Sequence, residues 1–178
     1  FDLASTLAPA TLMAALAGWS RLYQGSTIAL WRSFQGVAIA ACVIAGVSLG
    51  FVPQGSIWTG VLATTPFGLV LALLVQLLGT TIGAFSARYL QGEANQRRYV
   101  TALAAVLAGV HLLLLADHWL LLIAAWTSVG LALQHLLCIY PDRPFARLAA
   151  HKKRMADVLA DALLLCAAVL AWAEVGSG

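Results

Sequence analysis

Six apolar runs divide this chain, and every lysine and arginine falls in alternate connections between them. A helix needs about 20 mostly apolar residues to cross a bilayer. The runs cover about 3–19, 36–52, 66–89, 99–116, 119–139 and 155–172. Arg21 and Arg32 fall in the first connection, Arg88 (at the very end of the third run), Arg97 and Arg98 are grouped with the third, and Arg143, Arg147, Lys152, Lys153 and Arg154 fall in the fifth. The second and fourth connections and both ends hold none of the ten basic residues. Positive charge gathers on the cytoplasmic side of membrane proteins. The alternation therefore predicts an all-α, polytopic transmembrane bundle of six spans forming one domain over 1–178, with both ends outside. A bacterial cytoplasmic (inner) membrane is the expected location. The chain starts at Phe1 and is read as a fragment of a longer protein.

Composition supports the bilayer as solvent. Hydrophobic residues make up 62% of the chain and charged ones 10%, against about 25% charged in soluble domains. A net charge of +3 raises the question of nucleic acid. The basic residues sit between apolar spans, where topology accounts for them. Cys42, Cys138 and Cys166 fall inside apolar runs without paired spacing and read as small core residues. No phosphate-binding loop, nucleophile elbow or metal-ligand spacing is present, and the four histidines are scattered. No chemistry and no cofactor is expected on this chain.

The spans carry few polar groups. Asp161 lies about 9 Å along the sixth span from Met155, at 1.5 Å per residue. An acid at that depth points to function, as a candidate proton carrier. Asp157 and Lys153 precede it at four-residue intervals, so the three share one helical stripe. The stripe is expected to form a cytoplasmic half-channel, with Lys152 or Lys153 acting on the acids; the alternative is a helix-end ion pair with snorkelling lysines. His111 in the fourth span and His135 in the fifth are candidate proton shuttles, because histidine changes charge near neutrality. Either serves equally as a hydrogen-bonding core residue. Arg143, Arg147 and His151 are candidate contacts for a cytoplasmic partner. Asp117 and His118 read as the turn of a tight hairpin between the fourth and fifth spans. Gly79 and Gly83 form a GxxxG pair that lets helices approach closely, although glycine is common in membrane helices generally. The apolar connection from Gln54 to Thr65 is expected to lie along the outer interface.

Two neighbouring stretches carry a family resemblance. One is Phe85-Ser-Ala-Arg-Tyr-Leu-Gln-Gly-Glu93, followed by Arg98-Tyr99; the other runs from Leu115-Ala-Asp117 through Trp126 to Gly130-Leu131. Together they resemble the antiporter-like membrane subunits of respiratory complex I, nearest its subunit-5 (NuoL-like) branch. The resemblance covers roughly residues 66–172, and the family's lysine–aspartate pair, nine residues apart, falls on Lys152 and Asp161. The family's glutamate after the tryptophan falls on Thr127, which cannot ionise. The stretches Tyr140-Pro-Asp-Arg-Pro144 and Ala149-Ala-His-Lys-Lys153 are similar to a divergent branch, the DabB-type membrane subunit of inorganic-carbon uptake complexes. That resemblance implies a cation-conducting subunit that works with a large peripheral zinc protein resembling a β-type carbonic anhydrase. The zinc would belong to the partner. A respiratory NADH:quinone oxidoreductase subunit and a non-conducting membrane anchor are the other readings.

Overall fold

A computed structural model describes residues 2–51, 57–58, 60–139 and 144–175. Six helices run in order: α1 (Asp2–Leu22), α2 (Thr27–Phe51), α3 (Pro66–Tyr89), α4 (Gln96–Leu115), α5 (Trp119–Leu137) and α6 (Pro144–Val175). Five of them, α2 to α6, are long and apolar enough to cross a membrane; α1 is not among those five.

The helix ends follow from local chemistry. Pro66 opens α3, where the missing N–H costs nothing, and the Thr65 side chain caps it by accepting from Gly68 N at 3.0 Å. The tight hairpin forms as expected: α4 ends at Leu115, and His118 Nδ1 caps α5 by accepting from Leu120 N at 3.1 Å. Gly92, with φ +87°, turns the connection between α3 and α4, a backbone conformation that suits glycine. Within α1, Pro9 has no N–H to give to the Ser5 carbonyl four residues back. Ser48 Oγ donates to that carbonyl from α2 at 3.3 Å.

Side-chain bonds show that successive helices run antiparallel. At one end Trp31 Nε1 donates to Gln96 Oε1 (2.8 Å), Tyr99 bonds Ser86 (2.8 Å), Arg97 donates to the Tyr23 carbonyl (3.1 Å) and Asn95 donates to the Ile139 carbonyl (3.1 Å). This is the end that gathers the basic residues. At the other end part of the expected interfacial connection forms a short antiparallel hairpin, β1 (Ile57–Trp58) with β2 (Leu62–Ala63). It closes on the α4–α5 turn, where Asp117 N donates to the Val61 carbonyl at 2.9 Å.

The core lies around α4, which packs against α1, α2, α3 and α5. Met13, Leu30, Phe34, Ala38, Val100 and Ala104 are among its buried members. Glycines make room for it, but not as a single close helix pair. Gly79 receives Leu107 of α4, and Gly83 receives Phe34 of α2. The GxxxG pair thus serves two neighbours at once. Outward faces stay apolar: Ile39, Val43 and Val47 on α2 are each about half exposed (53%, 60% and 48%). A stripe of this kind needs a lipid or protein covering.

The sequence reading needs correction in the fifth connection. Arg147, His151, Lys152, Lys153 and Arg154 sit on α6 rather than in a loop, because the helix starts at Pro144, about eleven residues before the apolar run begins. The segment Phe145-Ala-Arg-Leu-Ala-Ala-His-Lys-Lys is made of residues that favour helix and contains no breaker. Arg21 and Arg32 likewise lie on α1 and α2 instead of in the first connection, and Arg88, Arg97 and Arg98 on α3 and α4 instead of in the third. Cys166 is exposed, whereas Cys42 and Cys138 are half-buried. The reading of Cys166 as a core residue fails because α6 leans mainly on α5 and buries none of its most apolar stretch.

Candidate functional site

The site is built where α6 crosses α5. On α6, Lys153, Asp157 and Asp161 recur every four residues and face one way. On α5, Thr127, Gly130 and Gln134 follow helical spacing and face them. Together these six line one cavity of about 420 Å³. Lys153 Nζ forms an ion pair with Asp157 Oδ2 and also donates to the Gly130 carbonyl at 2.9 Å. A Cβ built on Gly130 would sit 3.5 Å from Asp157 Oδ2, an ordinary van der Waals contact. Gly130 is seven residues from the end of α5, about 10 Å along the helix. The Lys153 ammonium therefore lies about 10 Å in from the C-terminal end of α5.

Asp161 lies eight residues beyond Lys153, about 12 Å further along α6. It is half-buried and lines the same cavity as Thr127. Lys153–Asp157 is the sole ion pair among the described residues, so Asp161 has no direct ion-pair partner there, although Lys153 and Arg154 line the same cavity. The Gln134 Oε1 atom is buried there and has no hydrogen-bond partner among the described residues. A buried acceptor of this kind calls for a donor. The cavity thus offers two carboxylates, one lysine, one arginine (Arg154) and one open amide acceptor. That donor set suits water and a passing proton or cation.

The other candidates lie elsewhere. Lys152 is exposed and does not line this cavity. Of the two lysines, Lys153 is the one that meets the acids. His111 is buried at 2% exposure, and its Nε2 lies 2.8 Å from Gln76 Oε1. Gln76, fully buried, donates through Nε2 to the Ala38 carbonyl at 3.1 Å. A carbonyl only accepts, so the amide nitrogen faces Ala38 and its oxygen faces the imidazole, whose Nε2 carries the hydrogen. This network ties α2, α3 and α4 together. His135 opens into a third place, a groove shared with Arg21, Arg97 and Arg98. Arg147 and His151 are exposed on the first turns of α6. Arg143 lies outside the described residues.

Sequence reasoning passed over Gln76 and Gln134. The available signal was an uncharged amide inside an apolar run, which hydropathy averages away. No group of three or more metal-ligating side chains occurs among the described residues.

No family model matches the chain. Curated relatives do. It is 34% identical over 161 residues to the probable inorganic carbon transporter subunit DabB2 of Halothiobacillus neapolitanus, a match covering 83% of this chain and 29% of that protein. It is 31% identical over 163 residues to the probable inorganic carbon transporter subunit DabB of Hydrogenovibrio crunogenus, covering 90% of this chain and 30% of that one. It is also 26% identical over 157 residues to NADH-quinone oxidoreductase subunit L of Escherichia coli, covering 79% and 26%. The chain spans less than a third of the length of these relatives.

Proposed function

We propose that this chain, similar over most of its length to the DabB subunits and to subunit L, is an antiporter-like membrane subunit that conducts a cation in an inorganic-carbon uptake complex. The observation that carries the proposal is the α5–α6 cavity, which Lys153, Asp157 and Asp161 line together between two apolar helices. Ionisable groups inside membrane spans are costly and mark ion pathways. An anchor has no need of them.

In this reading the end that gathers the basic residues faces the cytoplasm, as the positive-inside rule requires, and the cavity is the cytoplasmic half of a path. Lys153 holds Asp157 in a pair and so neutralises it. Asp161, with no direct ion-pair partner among the described residues, takes up and releases the proton. Gln134 Oε1 accepts from the water that bridges them. The branch is chosen on two grounds. The two inorganic-carbon relatives exceed Escherichia coli subunit L in both identity and share of the chain matched. Thr127 also stands where the respiratory resemblance leads one to expect an acid, and Asp161 beside it supplies a carboxylate to the same cavity.

The ion flow would drive hydration of carbon dioxide on a large peripheral zinc protein resembling a β-type carbonic anhydrase. The exposed Arg147, His151, Lys152 and Arg154 of α6, with Arg143, would form its docking surface. Zinc would sit on that partner. The test is to purify the full-length protein in mild detergent, identify what accompanies it by mass spectrometry and assay zinc. A large soluble protein with stoichiometric zinc is the expected result. Flavin or iron–sulfur subunits without it would overturn the inorganic-carbon reading in favour of a respiratory complex.

A further inference from the structure

The groove that holds His135 differs in character from the α5–α6 cavity. It opens among α1, α4 and α5, with a volume of about 660 Å³. At its mouth stand Arg21 from the last turn of α1, Arg97 and Arg98 from the first turn of α4, and His135 near the end of α5. No carboxylate lies within ion-pair distance of the three guanidinium groups among the described residues. Arg97 spends one N–H on the Tyr23 carbonyl, and a guanidinium has four more to offer.

Below the mouth the lining changes. Ala105 lies seven residues beyond Arg98 on α4, and Ser128 seven residues before His135 on α5. Both are about 10 Å deeper along their helices. The two hydroxyls in the groove are already committed: Ser128 donates to the Ala125 carbonyl, and Thr101 is bonded to Ser20 and to the Arg97 carbonyl. Ala102, Ala105, Leu131 and Ala132 supply the rest of the wall. A cationic mouth at the helix ends thus leads into an apolar trough of matching depth on both helices.

We propose that this groove is a binding site for an anionic phospholipid, whose phosphate is held by Arg21, Arg97, Arg98 and His135 and whose acyl chain lies against Ala105 and Leu131. The charge pattern selects this occupant. Three cations without a counter-ion attract a phosphate, and basic pockets between spans at the cytoplasmic face suit anionic head groups. The apolar trough beneath distinguishes a lipid from a free anion, which would leave it empty.

The test is native mass spectrometry of the full-length protein, reconstituted in nanodiscs of mixed phosphatidylglycerol and phosphatidylcholine and then released. The unaltered protein should retain phosphatidylglycerol. The paired substitution Arg21→Gln with Arg98→Gln should weaken that retention about thirtyfold. The paired substitution Arg32→Gln with Arg88→Gln removes the same charge at the same membrane level, from a separate groove, and should leave retention unchanged. Ala105→Leu keeps every charge and narrows the trough; it too should lose the lipid. Equal loss in both charge pairs, unchanged retention in Ala105→Leu, or displacement of the lipid by inorganic phosphate would each overturn the proposal.

Discussion

Lys152 and Lys153 are neighbours in sequence and opposites in structure. One is exposed, while the other reaches the Gly130 carbonyl and Asp157. Successive positions on a helix point about 100° apart, so a stripe rather than a motif decides which lysine works. Lys153→Ala should therefore abolish most ion flux in proteoliposomes of the full-length complex, and Lys152→Ala should leave it near normal. Equal effects would remove the distinction. Gln134 offers a second test at this scale. Gln134→Leu keeps the volume but removes the open acceptor of the cavity. It should slow flux about tenfold without lowering thermal stability, because no protein hydrogen bond is lost at that atom. A fall in melting temperature with flux intact would assign Gln134 to packing instead. The stripe was legible in the sequence from four-residue spacing. The choice of lysine and both buried glutamines were not, since they depend on which face of each helix meets its neighbour.

Among the elements, α3 and α6 show where pattern reading succeeds and where it stops. The ends of α3 were set by Thr65-Pro66 and by the turn after Tyr89, and both are local signals. Its glycines were visible as a pair, but not that they receive side chains from two helices. A methyl group built on Gly83 would lie 2.1 Å from Cε1 of the fully buried Phe34. Gly83→Ala should then cost about 1–3 kcal/mol through overpacking and lower the melting temperature in detergent. Gly36→Ala, where no atom lies within 4 Å, should be neutral or slightly stabilising. The reverse ranking would show that Phe34 is free to move. α6 was read too short because hydropathy detects the apolar part of a helix, and its charged first turns continue the same hydrogen-bonded rod. That extension is what carries Lys153 to Asp157.

For the molecule as a whole, the alternation of basic connections proved the strongest signal. It predicted helices that turn back on one another, and the bonds Trp31–Gln96, Tyr99–Ser86 and Arg97–Tyr23 bring the cationic ends together. Hydropathy also located all six helices, though the first does not qualify as a span on length and composition. What it could not reveal was the arrangement around a central α4, because packing order depends on contacts distant in sequence. Orientation is testable directly. In full-length protein freed of native cysteines, a cysteine at Gln91 should react with an impermeant maleimide from the cytoplasmic face, and one at Asp117 from the opposite face. The inverse result would put the cationic end outside.

The central claim is that the α5–α6 cavity carries the ion, and Asp161 tests it most directly. Asp161→Asn preserves shape and removes the ionisable oxygen. Measured by a pH- or cation-sensitive dye in proteoliposomes holding the full-length protein with its partner, flux should fall to the background of empty vesicles, with membrane insertion and complex assembly unchanged. Full flux in Asp161→Asn would contradict the account and return the Lys153–Asp157 pair to the role of a helix-end ion pair.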